Sequence, residues 1–488
     1  MRSKKFFSLL LLLLLAGCRT EQPGTSIPTL PTAELQPAVG STTPQPDSTP
    51  VPTAPPPPFT ERPQYTFSAS LDYDKHQLEV NETIVYPNHS GTDIDQLVLV
   101  VEPQRDPGSF NLHSMKLNSQ PVSDYILGDG KLSIPLDIPL GENQAVKLDL
   151  QYTLLLPGRN GPLGYTKLQA NFHDWYPFFP PYRAGEGWVI HPPGSVGEHL
   201  VYPSVDFEVH ITNRDKDITI AAPHHVGSEG DTEKYQLERA RAFMWSASPY
   251  WAQSSADESG VPVHIYYYPE HEKAADKLLS EVGKALTLYQ KLFGPYPFDD
   301  LTIVAFDSHD AMESDALFFI SYTYFESFDD ETLEFEPKLQ NYLIIIGVHE
   351  TCHNWWYSQV GNDQAMEPWL DESLCVYCEQ LFYERTYPEM SRWWWDYRVR
   401  YFKPEGSVNS TIYQFDEYRQ YVSAVYLRGV MMVHEIRITM GDKAFFAALR
   451  DYAEQGRGRV MSWDDFLEIL GQYSDKDLSP VLEKFFSP

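Results

Sequence analysis

Basic side chains are scarce in this chain. Its 488 residues carry 37 Lys and Arg against 68 Asp and Glu, a formal charge of −31. Phosphate backbones are held by clustered cations, so this balance argues against nucleic acid as a partner. It argues equally against docking by charge on anionic lipid. What it leaves is a self-repelling, water-facing surface. Cysteine is rare too, at four, too few for a scaffold built on disulfides. No apolar run reaches the ~20 residues of a membrane-spanning helix, and there is no internal repeat. Cores are not in short supply: 42% of the residues are hydrophobic and 14% aromatic, which argues against disorder over most of the length. A chain of this size holds two to four domains.

The first residues differ from the rest. Met1-Arg2-Ser3-Lys4-Lys5 is a basic start, and Phe6 to Ala16 is apolar except for Ser8. A run this short is the core of a secretory signal peptide. It ends in Leu15-Ala16-Gly17-Cys18, which resembles a bacterial lipobox. The resemblance implies that residues 1–17 are a lipoprotein signal peptide and that Cys18 is lipidated. Several acyl chains, each methylene contributing ~0.8 kcal/mol, would then anchor the protein to a membrane of the cell envelope, outside the cytoplasm. The competing reading is an ordinary signal peptide with a stray cysteine. Residues 18–62 follow as a disordered tether, with twelve prolines between 20 and 58. Stretched at ~3 Å per residue, it spans on the order of 100 Å. The remaining cysteines, Cys352, Cys375 and Cys378, form at most one bridge.

From 63 to 255 the pattern is β. Stretches such as "QLEVNETIVY", "AVKLDLQYTLLL" and "VDFEVHI" alternate or run apolar, punctuated by Asn, Gly, Pro and Asp, as short strands do. "NFHDWYPFFPPYRAGEGWVIHPPG" has too much Pro and Gly for regular structure and is expected to be a long packed loop. It either reaches the active site or plugs the sheet. From 256 to 488 helical periodicity takes over. Helices are expected over 270–293, 342–358, 371–386, 417–440, 442–454 and 463–472, with "LTIVAF" as a strand.

His349-Glu350-Thr351-Cys352-His353 is an H-E-x-x-H pattern. On a helix, i and i+4 share a face, so both imidazoles can reach one zinc ion at ~2.1 Å. The pattern alone is moderately specific, and a helix with two core histidines would also show it. Glu372 tips the balance. Between it and His353 the chain can turn through Gly361-Asn362-Asp363 and start a second helix at "PWLDESL". Two histidines and a glutamate leave the fourth position open, as in a catalytic rather than structural site.

At these residues the chain resembles the gluzincin zinc aminopeptidases, the aminopeptidase N-like family with a thermolysin-like catalytic domain. Trp355 follows the second histidine as in the family, and "LDES" stands for its N-E-G element, with Asp371 for the Asn and Ser373 for the Gly. The resemblance runs from about residue 65 to the end. It implies a β-rich N-terminal domain followed by a thermolysin-like, mainly α-helical catalytic domain with a small sheet, and no C-terminal helical-repeat domain. The family's G-x-M-E-N strand corresponds to Asp310-Ala311-Met312-Glu313-Ser314. It implies that Ala311 and Met312 lie along the substrate and that Glu313 binds the free α-amine. "SAVYLRGVMM" matches the family's catalytic-tyrosine helix and places Tyr426 as that tyrosine. Without the resemblance, Tyr426 reads as one buried helix tyrosine among 31. A second amine-binding residue comes from the family's N-terminal domain; Gln169 is the choice here, with Glu186 and Glu198 as alternatives.

The expected chemistry follows from these assignments. One zinc per chain acidifies a water and polarises the scissile carbonyl. Glu350 is the general base and Tyr426 the oxyanion donor. Substrates would be peptides with a free N-terminus. Two other functions fit the scaffold: a peptide-binding surface lipoprotein without turnover, and a zinc hydrolase of a non-peptide substrate. Loss of Glu350 or Tyr426 would favour the former, and both are present. Cys375-x-x-Cys378 invites a redox reading, but such pairs belong at a strand-to-helix turn; packing is the better reading, with a bridge from Cys352 to either cysteine as an alternative. "WWW" at 393 to 395 reads as core. His224, His225 and His309 lack partners at ligand spacing.

Overall fold

The computed structural model describes residues 59–257, 259–329 and 338–487. The signal peptide, Cys18 and nearly all of the tether lie outside the described residues.

The N-terminal part is built on an eight-stranded sheet. Its strands are β1 (Gln64–Asp72), β2 (Gln77–Pro87), β3 (Phe110–Leu117), β4 (Gln120–Pro121), β5 (Ala145–Leu155), β6 (Val205–Asn213), β7 (His225–Glu229) and β8 (Thr232–Ala240), in the order β7-β8-β6-β1-β2-β5-β3-β4. Only β1 and β6 pair in parallel; every other neighbour is antiparallel. Alternate residues of β2 turn inward, as a half-buried strand requires. One of these is Glu82, fully buried among the core residues Tyr65, Phe67, Leu150 and Tyr152. The Pro-rich stretch expected to be a loop caps this core, burying Trp175, Phe178 and Phe179. The regular structure within it is three strands of two or three residues, Ala170–Phe172, Tyr182–Arg183 and Gly187–Trp188.

The C-terminal part begins with a mixed sheet of β9 (Ala252–Ala256), β10 (Val263–Tyr267), β11 (Leu301–Phe306), β12 (Met312–Ser314) and β13 (Leu317–Ser321), in the order β9-β10-β11-β13-β12. The boundary expected at 255 therefore falls inside β9, which already belongs to the second domain. β11 is buried at every residue: Leu301, Ile303 and Ala305 pack in the cluster that holds Leu278 and Leu343, while Val304 and Phe306 pack with Ala221 and Met244 of the β-rich part. β12 is an edge strand, pairing with β13 alone.

The helices of eight residues or more are α1 (Glu272–Phe293), α2 (Tyr322–Asp329), α3 (Tyr342–Cys352), α4 (Trp369–Thr386), α5 (Gly429–Met440), α6 (Asp442–Gln455), α7 (Trp463–Tyr473) and α8 (Ser479–Phe486) among the described residues. α3 starts where Asn341 accepts a hydrogen bond from the Leu343 amide at 2.9 Å, a side-chain N-cap. It was expected to continue to 358 but stops at Cys352, with His353 as its C-cap residue. Burial of two tryptophans accounts for this. Trp355 packs against Tyr289, Phe293 and Tyr296, and Trp356 against Phe293 and Tyr452. The helix expected over 417–440 contains a π-helical stretch, Val422–Arg428, leading into α5. Such bulges free a backbone carbonyl and gather at functional sites. No helix among the described residues is long and apolar enough to cross a membrane, and none of them belongs to a helical-repeat domain.

Candidate metal centre and active site

α3 and α4 pack side by side and are joined by a Cys352–Cys378 disulfide, with Cα atoms 6.4 Å apart. Cys375 remains a buried free thiol, so the Cys-x-x-Cys pair is not itself bridged. This packing brings three side chains of the sequence motif together. His349 Nε2 lies 3.1 Å from His353 Nε2 and 3.3 Å from Glu372 Oε2, and His353 Nε2 lies 3.8 Å from Glu372 Oε2. Four ligands ~2.1 Å from a tetrahedral ion stand about 3.4 Å apart, so the spacing fits zinc.

The protonation pattern makes the same point. His353 Nδ1 lies 3.1 Å from the Trp356 carbonyl, and His349 Nδ1 lies 3.0 Å from Glu379 Oε1. Both partners are acceptors, so both Nδ1 atoms donate. The two Nε2 lone pairs then face each other beside a carboxylate, an arrangement that repels itself unless a cation joins it. Glu372 Oε2 is buried and accepts no hydrogen bond, as an oxygen kept for a metal would be. Burial opposes a charge on His349, but the neighbouring Glu372 and Glu379 carboxylates outweigh it and push its pKa up to about 10. The field at the cage thus favours positive charge. Glu379 was not singled out in the sequence. It accepts from Arg398 Nε at 2.9 Å, Arg398 Nη2 at 3.0 Å and Trp394 Nε1 at 3.2 Å. A carboxylate behind a ligating histidine fixes its tautomer and its orientation.

Glu350 sits beside the cage, buried, with Oε2 unpartnered. Burial raises its pKa well above the carboxylate range; His349 opposes this, while Glu313, Glu372 and Glu379 add to it. Glu313, on edge strand β12, comes to the same place: an oxygen from each of Glu313 and Glu350 and a ring nitrogen of His353 lie within 4.8 Å of one another. Met312 packs against the cluster on the sheet's other side, with Val304, Phe306 and Phe319. Ala311 lies just ahead of β12, half-buried. Tyr426 is carried by the π-helical stretch, its ring 6.2 Å from and nearly parallel to that of His349. Burial raises the pKa of its phenol, and Glu372 raises it further, so it is a proton donor at neutral pH. Ser373, where the family pattern has Gly, donates its hydroxyl to the Val425 carbonyl at 2.7 Å and so ties α4 to that stretch.

The structure does not bring Gln169 to this cluster. Its amide donates to Asn171 Oδ1 at 2.6 Å and Ser246 Oγ at 3.4 Å, while its oxygen accepts from Tyr268 at 2.7 Å and from the Asp307 amide at 3.1 Å. Every polar atom is spent inside the domain junction, and none is left for a ligand. Of its alternatives, Glu186 pairs with Arg183. Glu198 is the one at the site: burial raises its carboxyl well above the usual range, and Glu313, Glu372 and Asp371 add to the rise. Its loop turns at Gly197, with φ +71°, and a Cβ there would press on Ile412 and the Tyr421 hydroxyl.

The β domain also grips the loop between α3 and α4. Arg241, buried, donates to the carbonyls of Tyr357, Ser358, Gln359, Tyr202 and Arg459. His191 Nε2 meets Asp363 Oδ2 at 2.9 Å, so the Pro-rich stretch does reach this region. Glu367 accepts from the Trp463 amide at 3.2 Å and caps the start of α7.

Two histidines and a downstream glutamate placed to hold one ion, with a free glutamate beside them, have the arrangement of a gluzincin-type metallopeptidase centre. Residues 278–485 match the model of the Peptidase family M1 domain. That stretch, less than half of the chain, is similar to the M1 peptidases, a gluzincin family. Among curated relatives, mitochondrial aminopeptidase 2 of Saccharomyces cerevisiae is 23% identical over 235 residues, 46% of this chain and 24% of that protein. Human endoplasmic reticulum aminopeptidase 2 is 32% identical over 143 residues, 28% of this chain and 14% of its own length. The match thus spans about a quarter or less of the length of these curated relatives. The M1 zinc metallopeptidase of Deinococcus radiodurans superposes over 88% of this chain and 94% of its own, with a TM-score of 0.62 at 16% identity. A mutant of that metallopeptidase has been solved bound to Tyr-Ser-Ala. That likeness establishes the two-domain fold, a β-rich domain followed by a helical catalytic one.

Proposed function

We propose that this chain is a zinc-dependent aminopeptidase that removes N-terminal residues from peptides. The observation that carries the reading is the meeting of Glu313 with Glu350 and His353 within 4.8 Å. An ammonium paired with Glu313 there would hold the first peptide bond of the substrate at the base. Glu198 would be the second amine-binding residue, in place of Gln169. The outer edge of β12, with Ala311 and Met312, would take the substrate backbone as an added strand.

His349, His353 and Glu372 would hold one zinc ion per chain, which when bound supplies a Lewis acid and lowers the pKa of a water towards ~7. Glu350 accepts a proton from the attacking water and passes it to the leaving amine. Tyr426 donates its phenol proton in a hydrogen bond to the developing oxyanion. We further propose lipidation at Cys18, which would tether the enzyme to a membrane of the bacterial cell envelope, facing out of the cytoplasm.

The test is turnover of a panel of aminoacyl anilides by purified protein, with and without a zinc chelator, beside Glu350→Gln. The expected result is hydrolysis that zinc restores and that the substitution abolishes. No hydrolysis of any anilide, or hydrolysis unchanged in Glu350→Gln, overturns the reading. For the anchor, Cys18→Ser should release the protein from the membrane fraction.

A further inference from the structure

We infer that Gln364 is a positioning residue for the amine anchor: it orients the Glu313 carboxylate and holds Asp371 beside it without neutralising either. This rests on the aminopeptidase reading of Glu313. Gln364 lies in the loop between α3 and α4, away from every family motif, and is nearly fully buried. Its amide nitrogen donates to Glu313 Oε1 at 3.2 Å and to Asp371 Oδ2 at 3.0 Å. An NH2 group has two hydrogens, and each goes to a different carboxylate. Asp371 Oδ1 in turn accepts from the Glu372 amide at 2.8 Å. One side chain therefore links the amine anchor to the backbone of a cage residue.

The chemistry of the donor matters. Two carboxylates brought together by a lysine or arginine would lose their charge to it, and an incoming ammonium would compete with a resident cation. A neutral amide satisfies one oxygen of Glu313 and leaves the charge intact. Glu313 Oε2 makes no hydrogen bond among the described residues, so that oxygen is available to an ammonium. The loop is itself pinned. Asp363 meets His191 at 2.9 Å, Asn362 Nδ2 donates to the Glu367 carbonyl at 3.1 Å, and the Gly361 amide donates to the Arg459 carbonyl at 3.0 Å. Gln364 thus works from a fixed base, as a residue that aims another must.

The experiment measures KM and kcat for an aminoacyl anilide, and Ki for its N-acetylated analogue as a competitive inhibitor. The proteins are the zinc-loaded full chain, Gln364→Leu, Gln364→Glu and, in parallel, Glu313→Ala. Gln364→Leu removes both donors. Gln364→Glu keeps the shape but sets a third acceptor against the two carboxylates, and so covers a Leu variant that fails to fold. The expected result is a rise in KM of about 10- to 100-fold in both variants, the scale of a lost hydrogen bond to a charged group. kcat should stay within about threefold, and Ki for the blocked analogue should not change. If Glu313→Ala raises KM while both Gln364 variants stay near wild type, the positioning role falls and the reading of Glu313 stands. If Glu313→Ala leaves KM unchanged, that reading falls and this inference with it. Equal losses for free and blocked compounds would mark Gln364 as merely structural and overturn the inference.

Discussion

Glu379 offers a test of the metal cage that avoids touching a ligand. It is fully buried, holds His349 through a 3.0 Å bond to Nδ1, and forms a two-bonded ion pair with Arg398, itself only 9% exposed at the side chain. Burial raises the pKa of its carboxyl, but Arg398 and His349 outweigh burial and hold it below the ordinary range, so it is ionised at neutral pH. Glu379→Gln should act in two separable ways. Loss of the anionic partner behind His349 should weaken zinc binding by about 10- to 100-fold, or ~1.4–2.7 kcal/mol. Leaving Arg398 buried without a counter-ion should cost ~3–5 kcal/mol of folding stability. The double variant Glu379→Gln, Arg398→Met separates the two, because removing a buried pair together is close to neutral for stability. Zinc affinity would be measured by competition with a chromophoric chelator, and stability by urea unfolding of the metal-stripped proteins. The double variant should regain most of the stability and none of the affinity. Wild-type zinc affinity in the single variant, or restored affinity in the double, would refute the reasoning.

Three further outcomes are expected. Tyr426→Phe should lower kcat about 100- to 1,000-fold with little change in KM; a loss confined to KM would remove its oxyanion role. Glu82 in the β-domain core has its pKa raised well above the usual value, first by burial. Its folded pKa exceeds the unfolded one, so the stability it permits is whole below about pH 4.5 and is lost as pH rises through the folded value. Glu82→Gln should therefore gain stability at pH 7.5 but not at pH 4, read as urea midpoints, and equal shifts at both would refute this. Arg241→Met removes a donor from five carbonyls and leaves those of Tyr202, Tyr357 and Ser358 without one, while Gln359 and Arg459 keep a backbone amide; it should destabilise by at least ~3 kcal/mol, seen as a lowered urea midpoint, and a midpoint within 0.5 M of wild type would contradict it.

The metal cage was legible because its geometry is carried by local spacing. An i, i+4 pair lies on one helix face wherever the helix sits, and Glu372 needed only one turn of chain. Glu379 carries a signal of its own in the sequence. It lies two helical turns beyond Glu372 on α4, a charge in a helix whose face is otherwise apolar and aromatic, and a charge at that spacing points back to the same site. The early end of α3 was not legible, because it depends on where Trp355 and Trp356 find partners on α1 and α6. The π-helical stretch around Tyr426 has no composition of its own. Gln169 stands out in the sequence by lying shortly before Trp175-Tyr176-Pro177; only the folded chain shows that it is spent in a buried network and that Glu198 stands close enough to Glu313, Glu372 and Asp371 to feel their charge.

The grip of Arg241 on the loop after α3 bears on how such proteins can be recombined. Gly361 lies directly under the guanidinium, and a Cβ at that position would overlap it. The two positions belong to different domains and fit only as a pair. A chimera that takes its β domain from one relative and its catalytic domain from another inherits half of this pair unless both are exchanged together. The unit that can be transplanted is therefore neither domain but the junction that spans them, and a catalytic half expressed alone would keep its metal ligands while losing the clamp that shapes the loop between them.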